Sequence, residues 1–420
     1  MNRPVHRLCW FALALGVLAV RVTAADDPMD SVERLLSASA FDEQFRFRMS
    51  GLLDLEGYSL DNPDPGLIFA DGHDLFNPRL SLFLDAQAGS HVYAFVQARV
   101  DRGFDPGYGG LRMRLYEYAL RISPVDGGKL DIEAGKFATV VGSWSPRHDS
   151  WDNPLITAPL PYENLTGIWD TTAIRSGATL LDWAGVSPRR PSGAGLLDKD
   201  RSVPIIWGPS YATGAALLGS SGPADYALEV KNASLSSRPE VWDPTQTPWG
   251  HPTLSGRLGI RPNESWTLGI SASSGAYLRD AAASSIPAGE NFGNYRETLV
   301  GADAAFAWHH FQLWSEIYAA RFEIPRVANA DTLAYYLEAK WKLSPQLTAA
   351  VRWNQQLFGD VPNGLGSFAP WGPNVWRMDA GPGFRFTAHL QLKLQYSLER
   401  VDDTPKPFGQ LLSAQLTLRF

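Results

Sequence analysis

The stretch Leu411-Leu-Ser-Ala-Gln-Leu-Thr-Leu-Arg-Phe420 alternates strictly between apolar and polar side chains. One parity carries Leu412, Ala414, Leu416, Leu418 and Phe420, and the other carries Ser413, Gln415, Thr417 and Arg419. Successive side chains of a β-strand point to opposite faces, so the pattern predicts a strand with one apolar and one polar face. A tilted strand of about ten residues is long enough to cross a bilayer. The alternative at this point is an amphipathic strand that ends a soluble sandwich.

Similar alternating segments recur along the chain from Phe45 onward. One of the clearest is Leu390 to Leu398, where leucine or tyrosine alternates with glutamine, lysine or serine. Counting these segments gives about sixteen strands, an even number, as in bacterial single-chain barrels. A further hairpin between Thr171 and Trp183 would raise the count to eighteen. The sequence therefore predicts an all-β, transmembrane, antiparallel β-barrel over residues 45–420.

The connections between these segments alternate between short and long. Gly89-Ser90 and His309-His310 are short, whereas residues 140–210 and the stretch from Phe322 to Thr332 are predicted to be long. Transmembrane barrels have short periplasmic turns and longer extracellular loops. A soluble sandwich has no reason to sort its loops by end. The alternation therefore favours the barrel, with both termini on the periplasmic side.

The first 24 residues have the pattern of a cleaved secretory signal. A basic start precedes an apolar run from Leu8 to Val20, and Val22-Thr23-Ala24 provides small residues at the cleavage position. The only cysteine, Cys9, lies within this signal, so the mature chain is expected to have no disulfide and no thiolate metal site. Residues 25–44 are predicted to form a periplasmic helical stub, with Asp30 as its N-cap.

The charge of the mature chain bears on its partners. Removing the signal leaves 34 basic residues against 44 acidic ones, because Arg3, Arg7 and Arg21 are lost from a total of 37. The resulting net charge of about −10 argues against nucleic acid as a partner. The few histidines show no metal-binding pattern, so no metal and no cofactor is expected.

These features together resemble Gram-negative outer-membrane porins. The organisation is most similar to the phosphate-selective porin O/P group, in which a Gly-Lys/Arg-Phe strand precedes the third loop. Here that strand is the segment from Leu130 to Phe137, followed by Val141-Gly142. The resemblance implies a homotrimer in outer-membrane lipid, a third loop (about 140–210) folded into the lumen, and a C-terminal strand read by the outer-membrane assembly machinery through Phe420.

The start of this third loop is the candidate constriction of the pore, because it combines charges of both signs with aromatic rings. Its excessive length also favours a functional role. The candidate residues are Lys136, Trp144, Arg147, His148, Asp149, Trp151 and Asp152. The same loop also carries Tyr162 and Trp169. The alternative is that the rings only fasten the loop to the barrel wall.

The inward parity of the strands carries nearly balanced charges. The candidate pore-lining residues are Arg46, Arg48, Arg79, Arg99, Glu117, Arg121, Glu338, Lys340, Arg352 and Lys393. Rings of one sign would set a strong ion preference, whereas this mixture predicts weak selectivity. The predicted function is passive diffusion of small hydrophilic solutes. A sugar-selective porin with an aromatic path, and a non-conducting structural or adhesin barrel, are the alternatives.

No catalytic site is predicted. His148, Asp149 and Ser150 are the residue types of a hydrolase triad, but adjacent residues rarely adopt the arrangement that a triad needs. The facing of the strands makes a separate prediction. Leu394 should face lipid and resist replacement by arginine, whereas the inward Gln395 should tolerate it.

Overall fold

Sixteen antiparallel strands form a closed barrel. The computed structural model describes residues 28–41, 44–60, 73–102, 110–181, 202–238, 249–402 and 407–420. The strands are β1 Phe45–Leu60, β2 Asp74–Ala88, β3 Val92–Asp101, β4 Arg112–Val125, β5 Leu130–Phe137, β6 Ala212–Ser221, β7 Ala224–Lys231, β8 Thr253–Ile260, β9 Trp266–Ala276, β10 Arg296–Trp308, β11 Phe311–Ile324, β12 Ala328–Lys342, β13 Leu347–Phe358, β14 Val375–Arg385, β15 Leu390–Val401 and β16 Phe408–Arg419. Each strand pairs with its neighbours in sequence, and β16 closes the barrel on β1 from Leu411 opposite Leu60 to Arg419 opposite Leu52.

The two faces of the wall differ as the alternation predicts. Apolar side chains such as Leu258 and Ile270 point outward and are about 60% exposed. Polar side chains such as Gln395 and Thr417 point inward and are buried. An apolar outer surface of this kind suits lipid, and a polar interior suits water or polar partners. No helix in the described part of the chain is long and apolar enough to span a membrane.

Tryptophans mark the short-turn end of the outer surface. Trp266, Trp308 and Trp341 are 39%, 61% and 58% exposed, and each lies beside a short turn. Neighbouring rings extend this belt, since Trp266 contacts Phe306 at 4.8 Å and Trp341 contacts Phe311 at 5.9 Å between ring centroids. Amphipathic rings at such a level are typical of a membrane–water interface.

One prediction about the connections is wrong, and one possible addition to the barrel is absent from the described residues. The stretch from Phe322 to Thr332 is not a long loop, because β11 and β12 pair as far as Ile324 opposite Ala328 and leave a three-residue turn. The segment from Thr171 does not add a hairpin to the barrel. Its described part contains the short helix α2, Gly177–Leu181, and residues 182–183 lie outside the described residues. The barrel therefore has sixteen strands and not eighteen.

The N-terminal segment covers an edge of β1. The helix α1, Pro28–Leu35, leads into a short strand, Ser37–Ala40, that pairs with β1 from Ser37 opposite Arg48 to Ala40 opposite Phe45. This part of β1 extends beyond the end of β16, so its backbone groups would otherwise be an unpaired edge. The helix begins at Pro28, so Asp30 lies within the first turn and not at the N-cap. The predicted signal, residues 1–24, lies outside the described residues.

The largest apolar cluster lies inside the barrel, at the end where the long loops are. It joins inward side chains of the wall, such as Phe322 and Tyr336, to Trp371 of the β13–β14 connection and to residues of the β5–β6 connection such as Ile168 and Ile206. The interior is therefore not an open cylinder. One side of it, along β9 to β13, is filled by the connection and its apolar contacts.

Candidate pore constriction

The β5–β6 connection leaves the wall at a turn that requires glycine. Gly142 has a φ of 76°, in the left-handed region that side chains other than glycine rarely adopt. A Cβ at this position would also lie 2.7 Å from the hydroxyl of Tyr162 and 2.9 Å from Oε1 of Glu316. The close approach brings the next residues of the chain against the inner wall.

Inward carboxylates hold the first part of this connection by its N–H groups. Glu117 accepts from the amide of Ala138 at 2.8 Å. Glu229 accepts from the Thr139 hydroxyl at 2.7 Å and from the Val140 amide at 3.2 Å. Glu316, on β11, accepts from the amides of Ser143 and Trp144, at 2.5 and 2.9 Å, and from the hydroxyl of Tyr162 at 2.6 Å. The wall strands β4, β7 and β11 therefore supply one carboxylate each.

Inward cations hold the second part by its carbonyl groups. The Lys393 ammonium donates to the carbonyls of Ser150, Asn153 and Leu155, at 2.7, 2.9 and 3.3 Å. The Arg352 guanidinium donates to the Thr157 carbonyl at 2.9 Å. Arg377, on β14, donates to the Ala158 carbonyl at 2.6 Å and pairs with Glu163. Hydrogen bonds to charged groups are stronger than neutral ones, so this segment is firmly attached.

These contacts correct part of the predicted pore lining. Arg352 and Lys393 are buried beneath the connection, with 0% and 3% of their surface exposed, and they do not face an open lumen. Glu338 is also fully buried and pairs with Arg352 at 3.0 Å. The error has a physical cause. Alternation shows that a side chain points inward, but it does not show whether water or another segment of chain meets it there.

Arg147 lies against the wall beneath this segment. Its guanidinium pairs with the Glu338 carboxylate, donates to the Tyr336 hydroxyl at 3.0 Å and lies 4.4 Å from the ring centroid of Trp314. Only 12% of the side chain is exposed. Arg147 therefore contributes more to holding the connection against the wall than to the electrostatic field in the open part of the pore.

His148 is held in one neutral form by two partners. Its Nδ1 lies 2.6 Å from the Ser145 carbonyl and its Nε2 lies 2.7 Å from the Tyr211 hydroxyl. The carbonyl can only accept, so Nδ1 carries the hydrogen. In the neutral ring, which burial favours, Nε2 then accepts from the tyrosine hydroxyl. Burial lowers the pKa of His148, although the Asp149 carboxylate opposes this. Because both ring nitrogens are engaged by Ser145 and Tyr211, His148 does not form a triad with Ser150.

Asp149 and Asp152 are the candidates that face open space. The carboxylate of Asp149 lies 4.0 Å from the Arg99 guanidinium and 3.5 Å from Nε2 of His148, and its side chain is 28% exposed. Asp152 is exposed.

Further along the connection, burial raises the pKa of Glu163 above its ordinary value, although the Arg377 guanidinium opposes this. No sequence pattern pointed to Glu163 as part of the site, because it lies in an irregular stretch without periodicity.

The remaining candidates of the connection are buried. Trp144 packs on Tyr162 with 4.5 Å between ring centroids, and Trp151 lies beneath the guanidiniums of Arg385 and Arg419 at 4.9 and 4.6 Å. The Trp151 ring fastens the segment to the wall, which is the alternative that the sequence left open, whereas Trp144 packs on another residue of the connection.

Lys136 does not point towards the connection. It lies opposite Tyr118 in the register and alternates with Phe137, which packs inward on Ala119 and Ala216. Lys136 is therefore on the outer face of β5, where its ammonium lies 3.4 Å from the Leu115 carbonyl. Gly-Lys-Phe as a motif does not reveal which of its residues faces the lumen.

The wall strands β1 to β4 keep most of the predicted inward cations. Arg79 bridges Asp54 at 2.9 Å and Glu56 at 2.7 Å, while Arg121 donates to Glu133 at 2.7 Å. Arg99 lies 4.3 Å above the Tyr116 ring.

The other predicted basic residues lie near the short-turn end. Arg48 pairs with Glu33 of α1 at 2.8 Å, and Arg46 lies two residues before it on the same exposed, inward parity of β1. Lys340 is half-buried on β12, two residues beyond Glu338.

Open space lies between this side of the wall and the connection. A cavity of about 440 Å³ reaches from α1 to Asp149 and Asp152, and a second of about 810 Å³ opens beside it at the short-turn end. The two share Arg48, Asp85 and Tyr93 in their linings. The interior therefore contains a polar chamber on the β1–β4 side, opposite the apolar filling.

No family model and no curated protein matches the sequence. Solved structures do match the fold, at low identity. OmpF of Salmonella typhi in complex with daunomycin has a TM-score of 0.55 at 11% identity and covers 91% of this chain and 100% of that one. The anion-selective porin from Comamonas acidovorans has a TM-score of 0.55 at 9% identity, with 90% and 100% covered. The channel DcaP of Acinetobacter baumannii has a TM-score of 0.53 at 10% identity, with 91% and 100% covered. The chain thus has the fold of outer-membrane porins.

Proposed function

We propose that the chain is an outer-membrane porin of a Gram-negative bacterium that allows passive diffusion of small hydrophilic solutes. The observation that carries the proposal is the connection between β5 and β6. It is fastened across the inner wall by charged side chains on one side and leaves a polar chamber on the other. A closed barrel with a narrowed, charged interior and an apolar outer surface is the construction of a diffusion pore.

The pore should be weakly selective. The Asp149 carboxylate lies 4.0 Å from the Arg99 guanidinium, and Glu33 pairs with Arg48, so these ion pairs offset part of the negative charge that lines the chamber. Arg352 and Lys393, which would have added positive charge, are used to bind the connection. Membership of the phosphate-selective group therefore remains a hypothesis based on organisation alone.

The location and assembly follow from the same proposal. Export would use the predicted signal at residues 1–24, and Phe420 would present the C-terminal strand to the assembly machinery. A homotrimer is proposed by likeness, since one matching structure is OmpT of Vibrio cholerae in a trimer form, with a TM-score of 0.52 at 8% identity, covering 90% of this chain and 99% of that one. Outer-membrane lipid and small solutes would be its other partners.

A non-conducting barrel is the second candidate. The apolar filling along β9 to β13 favours it, because that filling removes part of the lumen. The sugar-selective alternative has less support from the connection, where the rings of Trp144, Trp151 and Tyr162 are buried and offer no open face to a pyranose. Transport also accounts for the chamber without any catalytic group, so we infer that the chain is not an enzyme.

Recording from purified protein in planar lipid bilayers tests the proposal. A porin should give discrete conductance steps in 1 M KCl, and deleting residues 147–152 should enlarge them because part of the obstruction is removed. The matched control is a deletion within the exposed turn at residues 363–366, where Gly364 and Gly366 have open space around them. If the parent protein inserts but carries no current, and the deletion of residues 147–152 opens it, the barrel is a closed structure and not a diffusion pore.

A further inference from the structure

The chamber between α1 and the constriction has an unusual inner wall. Phe83, Tyr93 and Phe95 all face it from β2 and β3, although inward positions elsewhere in this part of the barrel are mostly polar. Tyr93 and Phe95 lie with their rings nearly parallel, 28° apart in plane and 5.8 Å between centroids. The three rings are partly exposed, so this wall offers a flat apolar surface to whatever enters.

Acidic side chains outnumber basic ones around these rings. Five carboxylates line the chamber against two guanidiniums, and the acidic residues are Glu33, Asp85, Glu117, Asp149 and Asp152. One guanidinium, that of Arg48, is paired with Glu33, and the other, that of Arg419, lies over the Trp151 ring. A cleft lined by one sign of charge raises the local concentration of ions of opposite sign.

A buried amide supplies a directional polar group. Gln97 is 1% exposed and lines the chamber, and its amide nitrogen has no hydrogen-bond partner among the described residues. Its Oε1 lies 3.4 Å from the Tyr211 hydroxyl, at the long end of the hydrogen-bond range. Buried polar groups are normally satisfied, so a water molecule or a ligand at this wall would complete the hydrogen bonding of Gln97.

We propose that this chamber binds organic cations that carry a flat apolar group, the class of arylammonium ions. The positive end would lie near Asp149 and Asp152, the ring would lie on Phe83 and Phe95, and Gln97 would bond a polar substituent. Cations and aromatic faces attract one another most strongly where water is excluded. The chamber volume of about 440 Å³ is within the range of small-molecule sites. This proposal deepens the porin function, because it names the solutes that would be retained on the way through.

The test is ligand-observed saturation-transfer NMR on the full chain in zwitterionic micelles. Three probes separate the contributions: phenyltrimethylammonium has a ring and a positive charge, tetramethylammonium lacks the ring, and benzenesulfonate has the opposite charge. We expect phenyltrimethylammonium to bind at least fivefold more tightly than either of the other probes. Equal affinity for all three, or preference for benzenesulfonate, would overturn the proposal without any variant.

Variants locate the binding. Replacing Asp149→Asn and Asp152→Asn together should weaken phenyltrimethylammonium about tenfold, and Phe83→Leu should weaken it about threefold. The matched control is Asp126→Asn, which removes a carboxylate from an exposed turn outside the chamber. Heat-modifiable migration on gels checks that each variant is folded. If the chamber variants lose no more affinity than Asp126→Asn, the probe binds elsewhere and the assignment is overturned.

Bilayer recordings of the same preparation keep the two proposals apart. If the protein conducts but does not bind phenyltrimethylammonium in preference to the other probes, the porin function stands and the chamber proposal is overturned. Preferential binding without current would support the chamber and overturn the diffusion pore.

Discussion

The ring of Phe420 lies over Gly51, and their backbones exchange two hydrogen bonds of 2.8 and 3.0 Å. A Cβ at Gly51 would lie 2.8 and 2.9 Å from two ring carbons of Phe420, so no larger residue fits while the ring stays there. This contact joins the last residue to the first barrel strand, at the seam where β16 meets β1. The position of the Phe420 ring is therefore part of the closed seam.

Gly51→Val should impair assembly, because the new side chain must displace the ring or distort the seam. Overpacking of this kind costs about 1–3 kcal/mol. Gly57→Val is the matched control, since Gly57 faces the same way on β1 and has nothing within 4 Å of an added Cβ. The measurement is the fraction of heat-modifiable, membrane-inserted protein. Similar losses in both variants would show that the seating of the ring is not the cause.

Deleting Phe420 should lower membrane insertion further, because it removes both the ring and the two backbone hydrogen bonds at the seam. Insertion is measured by surface exposure in intact cells and by resistance to extraction. Phe408, at the opposite end of the same strand and face, is the control for general loss of an aromatic residue, as Phe408→Ala. A truncated chain that inserts as well as the parent would show that Phe420 is not an assembly signal.

Leu394→Arg should destabilise the folded barrel by roughly 2–4 kcal/mol, the cost of arginine near the bilayer midplane. Leu390→Arg, on the same face but beside the short turn, should cost about 0–1 kcal/mol. Urea-induced unfolding in lipid vesicles measures both. Equal costs at the two depths would mean that β15 does not span a membrane.

Gln395→Arg is now expected to be harmful, against the prediction from the sequence. The Gln395 side chain accepts from the amides of Ile156 and Thr157, at 2.6 and 3.1 Å, and is 1% exposed. An arginine has no acceptor to replace that oxygen, so both amides would lose their partner. The check is channel noise in bilayers, which should increase as the connection loosens. Quiet, parent-like current would show that these two hydrogen bonds do not hold the connection.

Arg147→Ala should loosen the connection at its constriction end. Removing one partner of a buried ion pair costs about 3–5 kcal/mol, and the lower part of that range applies here because Arg352 still pairs with Glu338. Larger and more variable conductance steps are the expected result. Arg175→Ala removes a more exposed arginine of the same connection, which bonds the Ser285 carbonyl, and is the control. Unchanged steps in Arg147→Ala would mean that this residue does not fix the constriction.

The attachment of the β5–β6 connection to the inner wall, its docking, should weaken at low pH because His148 takes up a proton. Its pKa is lowered in the docked state, so the detached segment takes up a proton more readily than the docked one. Docking is therefore complete above the ordinary histidine pKa of about 6.5 and weakens as the pH falls below it. Hydrogen exchange of residues 143–157, corrected for intrinsic rates, measures this. His148→Gln should flatten the pH dependence, and an unchanged profile would mean that another group is responsible.

The sequence by itself determined the barrel. Alternation in segments such as Leu390 to Leu398 fixes which side chains face out, because a strand has a period of two and an apolar face must meet lipid or a core. The count of about sixteen strands followed from the same alternation, whereas the possible hairpin near Thr171 adds no strand to the barrel. The wrong loop at Phe322 to Thr332 has a simple cause, since strands that continue past the membrane lose the apolar alternation that marks them.

Only the tertiary structure decided which inward side chains face open space and which are covered by the connection. Arg99 and Arg352 look alike in sequence, as arginines at inward positions, yet Arg99 lies 4.0 Å from Asp149, which lines the chamber, and Arg352 is buried under Thr157. The difference arises because the connection crosses the lumen on one side and not the other. Its path depends on contacts between residues far apart in sequence, such as Glu316 with Trp144 and Lys393 with Ser150. A local pattern carries no information about such pairs, so the position of the constriction could be found only in the folded chain.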